Sequence, residues 1–328
     1  MRIIYLVEKL IKLSEDRLKM GFLPSSIRLL IKLHKKYSFE GPVLTLGNQD
    51  IWATHKDLSS YFQEMNVPFD EPEKIISHSS RMFKQNIELK KFSENFVHAR
   101  VFFEMMGIKE YWDMDKFDYD VPIFRHDLNY PIPPELQKKF SLIIDGGTIE
   151  HIFDVRSVME NIINMLKPGG CVMHISSFNM DHGLYAFSPI FFFDFYKANE
   201  FTDFSCYILQ IDNKKTRKTY SKHYPYFEYT YGMSLKGLIK NEKEILIFFV
   251  ARQKETVTPM IIPTQGIFEP NNVLKSINNN VIRSKYSYES LVPKLFRPVF
   301  QPLRYSVLWF KSHINQYKER RRIKKGFI

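Results

Sequence analysis

The sequence predicts an α/β protein with a mostly parallel sheet. Short apolar runs of strand character alternate with segments of helical periodicity between residues 42 and 251. The chain has 328 residues, of which 44% are hydrophobic and 15% aromatic, so it can bury a large core. Strands that alternate with helices form mostly parallel sheets covered on both faces, which bind ligands at the carboxyl ends of the strands.

The predicted elements follow from apolar runs, helical spacing and turn residues. Predicted strands lie at 42–46, 111–112, 123–124, 142–144, 171–175, 204–211 and 245–251. Predicted helices lie at 93–107, with Ser93 as N-cap and Gly107 as C-terminal stop, at 155–166 and at 188–198. The long connection over 48–91 shows no clear strand.

Three regions are predicted from these patterns. Residues 1–40 have helical spacing, with a second helical stretch around 27–33, and are predicted to form an N-terminal helical cap. Residues 41–254 form the α/β domain, and 255–328 form a basic, helical C-terminal extension. Within the extension, 303–317 carries apolar residues at helical spacing and is followed by a basic run at 318–325.

The net charge of +11 is concentrated in the C-terminal segment. From residue 283 onward there are 12 Lys or Arg and only two acids, Glu289 and Glu319, so the rest of the chain is nearly neutral. Nucleic acid is therefore not the expected partner. The basic tail could contact an anionic membrane surface, or it could dock on its own domain or on a second subunit.

The two cysteines, Cys171 and Cys206, lie in separate predicted strands without metal-ligand spacing, which predicts reduced core thiols and a cytoplasmic protein. The N-terminal segment is interrupted by charges and lacks the features of a signal peptide, and no window has the length and apolar content of a membrane span. A P-loop, a Gly-x-Ser-x-Gly elbow and paired histidine ligands on one helix are absent from the sequence, so no metal is expected.

Two segments carry a specific resemblance. Residues 140–154 (FSLIIDGGTIEHIFD) and 165–170 (MLKPGG), in this order and spacing, resemble the fourth strand and the turn into the fifth strand of class I S-adenosylmethionine-dependent methyltransferases. The resemblance covers about 42–252 and implies a Rossmann-like methyltransferase sheet, mostly parallel with an antiparallel final strand. It implies S-adenosyl-L-methionine as cofactor, with Asp145 at the cofactor site.

The resemblance also implies two cofactor-binding acids. A carboxylate after the second strand would accept hydrogen bonds from the ribose hydroxyls, and Asp115 fits best, with Asp113 and Asp118 as competitors. These acids could equally be solvated loop residues. Asp127 matches the acid that accepts a hydrogen bond from the adenine amino group, with Leu128 against the ring, although Asp127 could simply cap the turn that follows.

The turn after the first strand departs from the family pattern. A glycine-rich turn normally lets backbone N–H groups approach the cofactor, but here Gly47 is followed by Asn48 and Gln49. The two side-chain amides are expected to replace backbone contacts. The family's first helix must then come from the long insertion between the first two strands, and 93–107 is the candidate.

Two histidines are the candidate catalytic bases. His151 follows the fourth strand and His182 follows the fifth, so both belong to the ligand edge of the sheet. Glu150, His182 and Tyr185 are candidate substrate-binding residues, since their loops combine polar and aromatic side chains with Gly183. Each histidine could instead have only a structural role.

The predicted function is methyl transfer to an oxygen of a small molecule or glycan precursor. A non-catalytic relative that keeps the fold as a binding or scaffold module is the alternative, because of the atypical Gly47–Asn48–Gln49 turn. Methylation of nucleic acid is disfavoured by the near-neutral body. A homo-oligomer is compatible with the sequence.

Overall fold

A computed structural model of the protein describes residues 21–77, 95–117, 122–178, 182–212, 226–235, 243–255 and 259–266. A single mixed sheet runs through this part of the chain. Its strands are β1 (Val43–Leu46), β2 (Tyr111–Asp115), β3 (Phe124–Arg125), β4 (Phe140–Asp145), β5 (Leu166–Ser177), β6 (Thr202–Asp212), β7 (Tyr226–Glu228) and β8 (Lys243–Arg252). The described helices are α1 (Pro24–Tyr37), α2 (His55–Glu64), α3 (Ala99–Met105), α4 (Val155–Met165) and α5 (Pro189–Ala198).

The strand order is β3-β2-β1-β4-β5-β8-β6-β7. The first five strands in this order are parallel to one another, and β8 is antiparallel to β5. β6 lies between β8 and β7 and is antiparallel to both, and β7 forms the edge of the sheet. The predicted fold class is confirmed: the sheet is Rossmann-like and mostly parallel, and the last of the described strands, β8, runs antiparallel to β5. The short edge strand β7 was not predicted.

Two hydrophobic cores cover the two faces of the sheet. Successive residues of β1 alternate between them, since Val43 belongs to the first core and Leu44 to the second. Helices α1, α2 and α3 contribute to the first core, whereas α4 and α5 contribute to the second. A strand that is buried on both faces has no polar alternation, which explains why the central strands appear in the sequence as continuous apolar runs.

Helix α1 is a layer of the α/β domain. Its last residue, Tyr37, donates a hydrogen bond to Ser205 Oγ of β6 (2.8 Å), and Arg252 of β8 donates to the Tyr37 carbonyl (2.6 Å). Arg28 of α1 pairs with Glu64 of α2 at 3.1 Å. Residues on both sides of the predicted boundary at residue 40 therefore belong to one hydrophobic core. The part of the predicted cap before residue 21 lies outside the described residues.

The long connection between β1 and β2 contains a helix that the sequence analysis missed. Helix α2 begins with a capping box, in which Thr54 Oγ1 accepts from the Asp57 amide (3.1 Å) and the Asp57 carboxylate accepts from the Thr54 amide (2.9 Å). Helix α3 begins at Ala99, with His98 as N-cap, so the predicted start at Ser93 is wrong, although Ser93 itself is not described. Gly107 follows α3 with φ +79°, as its stop signal predicted.

The first residues of the predicted C-terminal extension are bound to α5. Asn199, at the end of this helix, accepts from the Ile261 amide (2.7 Å) and donates to the Ile261 carbonyl (3.0 Å). The Gly266 amide donates to the carboxylate of Asp194 (3.1 Å). The predicted amphipathic helix at 303–317 and its basic end lie outside the described residues.

Both cysteines are buried free thiols, Cys171 on β5 and Cys206 on β6, as predicted. Burial raises the pKa of the Cys171 thiol to about 11 and that of Cys206 well above its ordinary value, so both are protonated at neutral pH. Within the part of the chain that the structure describes, every helix is too short or too polar to cross a bilayer.

Removal of the Phe249 side chain is expected to destabilise the protein strongly. Phe249 of β8 is fully buried, and its ring lies 5.1 Å from Phe193 and 5.6 Å from Tyr196, both on α5. We expect Phe249→Ala to lower the free energy of unfolding by about 3–5 kcal/mol in urea titrations. Phe153→Ala is the matched control, because Phe153 is 76% exposed and its loss should change stability by less than about 0.5 kcal/mol. Equal effects of the two variants would contradict the packing of β8 against α5.

Candidate functional site

The strand order places a topological switch point between β1 and β4. From β1 the chain adds β2 and β3 on one side and then returns to the other side of β1 to form β4. In open α/β sheets, such a point opens a crevice at the carboxyl ends of the two strands. Gly47 follows β1 at this edge, and 146–148 follows β4.

The turn after β1 needs glycine at position 47. Gly47 has φ +74°, a left-handed conformation that is costly for other residues, and its amide donates to the Met114 carbonyl of β2 (2.7 Å). Thr148 Oγ1, from the loop after β4, donates to the Leu46 carbonyl (2.6 Å). A Cβ at position 47 would lie only 2.8 Å from that hydroxyl oxygen. The loops after β1 and β4 are therefore in direct contact.

Gln49 contacts the same two loops. Its Nε2 donates to the Leu46 carbonyl (3.0 Å), and its amide group occupies the space that a side chain at Gly146 would need. Gln49 Oε1 is buried and has no hydrogen-bond partner among the described residues. An acceptor in this state would be stabilised by a donor from a ligand. The neighbouring Asn48 is partly exposed, and its Nδ2 lies 3.5 Å from Asp113 Oδ2.

Asp115 lies beside Gly47, at the carboxyl end of β2. Its Oδ1 accepts from the Phe117 amide (2.9 Å), whereas Oδ2 lies 4.0 Å from the position that a Cβ on Gly47 would take. Asp113 is 3% exposed and accepts from the Ile123 amide (2.8 Å), and its burial raises its pKa. Asp118 lies outside the described residues. Both described acids have an oxygen near the turn after β1, but Asp113 is almost fully buried, whereas Asp115 is partly exposed beside Gly47.

Asp127 caps the turn that follows β3. Its Oδ1 accepts from the amide and the side chain of Asn129 (3.0 and 2.7 Å), and its Oδ2 pairs with Lys116 at 2.9 Å. Partial burial opposes ionisation, but the bonds from Lys116 and Asn129 outweigh it and lower the pKa of this carboxyl. Leu128 is 4% exposed and packs in the second core, so it has little surface with which to contact a base. The turn-capping interpretation of Asp127 is thus observed directly.

Asp145 is fully buried, and its oxygens are all engaged within the protein. Oδ1 accepts from the amides of Thr148 (2.8 Å) and Ile149 (3.2 Å), and Oδ2 lies 2.8 Å from His174 Nδ1. The structure thus gives Asp145 a different role from the predicted cofactor contact. Its carboxylate fixes the loop after β4 from beneath, which positions Thr148 against the turn after β1.

The Asp145 carboxylate begins a buried polar chain. His174 Nε2 lies 2.6 Å from the hydroxyl of Tyr196 on α5. Because an ionised carboxylate can only accept, His174 Nδ1 carries the hydrogen of the bond to Asp145. The other ring nitrogen, Nε2, pairs with the Tyr196 hydroxyl. Burial, followed by the charge of Asp145, raises the pKa of Tyr196 well above its ordinary value, so the hydroxyl keeps its proton. Sequence analysis missed His174 and Tyr196, although a histidine within the apolar run 171–175 was a visible signal.

The predicted substrate and catalytic residues come together after β4 and β5. Glu150 is 1% exposed, and its Oε1 lies 3.9 Å from His182 Nε2. The rings of His151 and His182 have centroids 5.3 Å apart. One ligand atom from each of the three side chains lies within 4.8 Å of the others. We call Glu150, His151 and His182 the Glu-His-His cluster.

The electrostatics of this cluster are unusual. Burial, and secondly the charge of Asp145, raise the pKa of Glu150 to about 8, although bonds from the Ser177 amide and the Ser176 hydroxyl (each 3.3 Å) oppose the shift. Burial and the neighbouring His182 lower the pKa of His151. The cluster thus combines side chains of types that can bind protons or metal ions, and the pKa values of Glu150 and His151 are shifted.

Apolar surface flanks the cluster. Phe153 and Leu184 are 76% and 62% exposed, so both offer apolar surface to a ligand. Tyr185 packs nearby, since its hydroxyl donates to the Phe153 carbonyl (2.8 Å). A ligand with an apolar or aromatic body could contact these side chains while a polar group reaches the cluster.

The sequence matches no protein-family profile and no curated protein sequence. A search of solved structures finds similar chains. A methyltransferase from Thermotoga maritima described as S-adenosylmethionine-dependent and a possible histamine N-methyltransferase is 12% identical, with 69% of this chain and 89% of that chain covered and a TM-score of 0.34. A putative methyltransferase from Bacillus halodurans is 10% identical, with 69% and 98% covered and a TM-score of 0.35.

A third similar structure is the Burkholderia thailandensis 1,6-didemethyltoxoflavin-N1-methyltransferase with bound 1,6-didemethyltoxoflavin and S-adenosylhomocysteine. It is 11% identical, with 70% of this chain and 79% of that chain covered and a TM-score of 0.31. The fold class of the present chain rests on the order and directions of its own strands.

Loss of the Tyr196 hydroxyl is expected to destabilise the protein by about 1–3 kcal/mol, because it leaves His174 Nε2 buried without a partner. Tyr196→Phe tests this with urea unfolding. Tyr185→Phe is the matched control: it removes a hydroxyl from an exposed hydrogen bond and should cost less than about 1 kcal/mol. A Tyr196→Phe protein as stable as the wild type would mean that the buried chain from Asp145 does not contribute to folding.

Proposed function

We propose that the protein is an S-adenosylmethionine-dependent methyltransferase that acts on an oxygen of a small molecule or glycan precursor. The observation that supports this most directly is the position of the Asp115 carboxylate beside Gly47, at the switch point of the sheet. A carboxylate at the end of the second strand is suited to accept both hydroxyls of a ribose. The resemblance of 140–154 and 165–170 to class I methyltransferases supports the same cofactor.

The residues of the crevice fit this cofactor. Asp115 Oδ2 would accept from the ribose, and Gly47 leaves the backbone open to close approach. Gln49 Oε1, which lacks a partner among the described residues, would accept from the ammonium group, with Asn48 at the rim of the same turn. The remaining lone pair of Asp127 would accept from the adenine amino group. When bound, the cofactor supplies a methyl group on a positively charged sulfur.

The acceptor would lie at the Glu-His-His cluster. Its apolar body would rest on Phe153 and Leu184, and its hydroxyl would reach His151 and His182. These two imidazoles promote the loss of the hydroxyl proton, and Glu150 and Tyr185 orient the acceptor. The Asp145 carboxylate holds the loop between the two binding sites in place.

Binding of S-adenosylhomocysteine, measured by isothermal titration calorimetry, tests the cofactor site. We expect Asp115→Asn to weaken binding by roughly 10- to 100-fold, because the variant keeps the acceptor for the Phe117 amide but loses the charge. We expect Gly47→Ala to abolish binding, since the added Cβ meets Thr148 Oγ1 and the φ of +74° is strained.

The control is Asp203→Asn, which changes the same residue type at a side chain that is 63% exposed and distant in sequence from the crevice. Its affinity should equal that of the wild type. If the wild-type chain does not bind S-adenosylhomocysteine, or if Asp115→Asn binds equally well, the proposed cofactor site is wrong.

A second candidate function is a non-catalytic binding module with the same fold. It is favoured by Gln49, whose side chain occupies space above Gly146 that a glycine-rich turn would leave open. The two functions differ in turnover. We expect the wild type to convert S-adenosylmethionine to S-adenosylhomocysteine when it is supplied with a panel of phenolic and carbohydrate hydroxyl compounds.

For an acceptor found in this way, His182→Ala should lower kcat by roughly 10²- to 10⁴-fold while leaving the affinity for S-adenosylhomocysteine unchanged. Product formation measured by mass spectrometry checks both outcomes. Equal kcat values for the wild type and His182→Ala would exclude His182 from the reaction. A wild-type chain that binds neither S-adenosylmethionine nor S-adenosylhomocysteine would favour the non-catalytic module.

A further inference from the structure

The Glu-His-His cluster has the composition of a metal site. It contains two imidazoles and one carboxylate, and one ligand atom from each lies within 4.8 Å of the others. Imidazole and carboxylate together suit Zn²⁺, Fe²⁺, Mn²⁺ and related divalent ions. No metal was expected because the sequence lacks a histidine pair on one helix, whereas these three ligands come from two loops.

The backbone holds the two loops in register. Glu150 and His151 lie in the 3₁₀ turn Ile149–His151, directly after the amides that Asp145 fixes. The Glu150 carbonyl accepts from the amides of Leu184 (2.8 Å) and Tyr185 (3.2 Å), which ties the segment of His182 to the other two side chains. Gly183 permits this approach, since a Cβ there would lie 2.7 Å from the Glu150 carbonyl oxygen.

Electrostatics also favour a cation at this position. Glu150 is 1% exposed, and its hydrogen bonds from Ser176 and Ser177 are both 3.3 Å long. The ion-pair partner described for this carboxylate is His182, at 3.9 Å. A buried carboxylate without a close cation is costly, and a bound metal ion would offset that cost.

The distances permit coordination after small rotations. With metal–ligand bonds of about 2.1 Å, ligand atoms in a tetrahedral site are roughly 3.4 Å apart. His151 is exposed and His182 is partly exposed, so both imidazoles have room to rotate toward Glu150. The carboxylate stays in place, because the hydrogen bonds from Ser176 and Ser177 fix it.

We propose that Glu150, His151 and His182 bind a divalent transition-metal cation, and that this cation takes an oxygen of the substrate as a further ligand. Three protein ligands leave coordination positions open, as in catalytic metal sites. A hydroxyl bound there would lose its proton to solvent more readily, because both imidazoles are then ligands. The oxygen would form its bond to the methyl carbon as the bond from that carbon to the sulfonium sulfur breaks, and the sulfur would keep the electron pair. The role toward substrate rests on the proposed methyltransferase function, whereas the binding of the cation does not.

The substrate class follows from the surroundings of the cluster. A chelating pair of oxygens, such as neighbouring hydroxyls or a hydroxyl beside a carboxylate, would fill two open positions of the ion. Phe153 and Leu184 would contact an apolar or aromatic part of the same molecule. Among the hydroxyl compounds proposed above, the inference therefore favours those with two adjacent oxygens on an apolar framework.

Equilibrium dialysis of the full-length protein against Zn²⁺, and separately against Mn²⁺, tests the site in the absence of cofactor and substrate. The wild type should bind one of these ions, with the bound metal measured by mass spectrometry. The affinity for that ion should fall by roughly 10- to 100-fold or more in His151→Ala, in His182→Ala and in Glu150→Gln. Thermal unfolding of each metal-free variant would show that it is folded. Ions held elsewhere in the chain would be unaffected by these changes.

The matched control is His55→Ala. His55 Nε2 lies 3.3 Å from Glu71 Oε2, so this pair has one imidazole and one carboxylate but is not part of a three-ligand group in the described residues. His55→Ala should bind metal like the wild type. Wild-type protein without bound Zn²⁺ or Mn²⁺, or cluster variants that retain wild-type affinity, would overturn the proposal.

Cofactor binding separates this proposal from the previous one. A chain that binds metal through the cluster but does not bind S-adenosylhomocysteine would refute the methyltransferase function and keep the metal site. A chain that binds S-adenosylhomocysteine but shows no cluster-dependent metal would keep the methyltransferase function and refute the metal site.

Discussion

The rest of the site depends on the buried hydrogen bonds of the Asp145 carboxylate. This carboxylate is fully buried at the end of β4, where it accepts from two successive loop amides and from His174. A buried carboxylate is tolerated only when hydrogen bonds replace its hydration, and here three donors do so. Two of those donors are the amides of Thr148 and Ile149. The hydrogen bonds therefore stabilise one conformation of the loop after β4.

That single conformation serves both sides of the site. On one side, Thr148 reaches across to the Leu46 carbonyl and closes the turn at Gly47, next to Asp115. On the other side, the 3₁₀ turn that starts at Ile149 presents Glu150 and His151 to the loop of His182. The proposed cofactor site and the Glu-His-His cluster are therefore neighbours, because the loop that Asp145 holds contributes to both.

Sequence patterns predicted the sheet well because the central strands are buried on both faces, so their apolar runs at 142–144 and 171–175 are unambiguous. Helix α4 over Val155–Met165 was predicted almost to the residue, since Asp154 caps it and an apolar face follows. The same reasoning missed α2, whose Thr54–Asp57 capping box is followed by few apolar residues. It missed β7, which is three residues long and only partly buried.

The site was predicted less completely because its key contacts are non-local. Spacing indicated that Glu150, His151 and His182 belong to one edge, but nothing in the sequence gave the distances that make them a potential metal site. Asp145 was interpreted as a ligand-binding acid, yet it pairs with His174, 29 residues further along the chain, and His174 pairs with Tyr196, a further 22 residues along. Such a network becomes visible only when β4, β5 and α5 are packed together.

The central claim is that a nucleoside binds over the carboxyl ends of β1 and β2, with its ribose on Asp115. A crystal structure of the protein with S-adenosylhomocysteine tests it most directly. We expect the ribose hydroxyls within hydrogen-bond distance of the Asp115 carboxylate and the amino-acid end of the ligand beside Gly47 and Gln49. A ligand bound elsewhere on the protein, or an Asp115 side chain that makes no contact with it, would contradict the assignment.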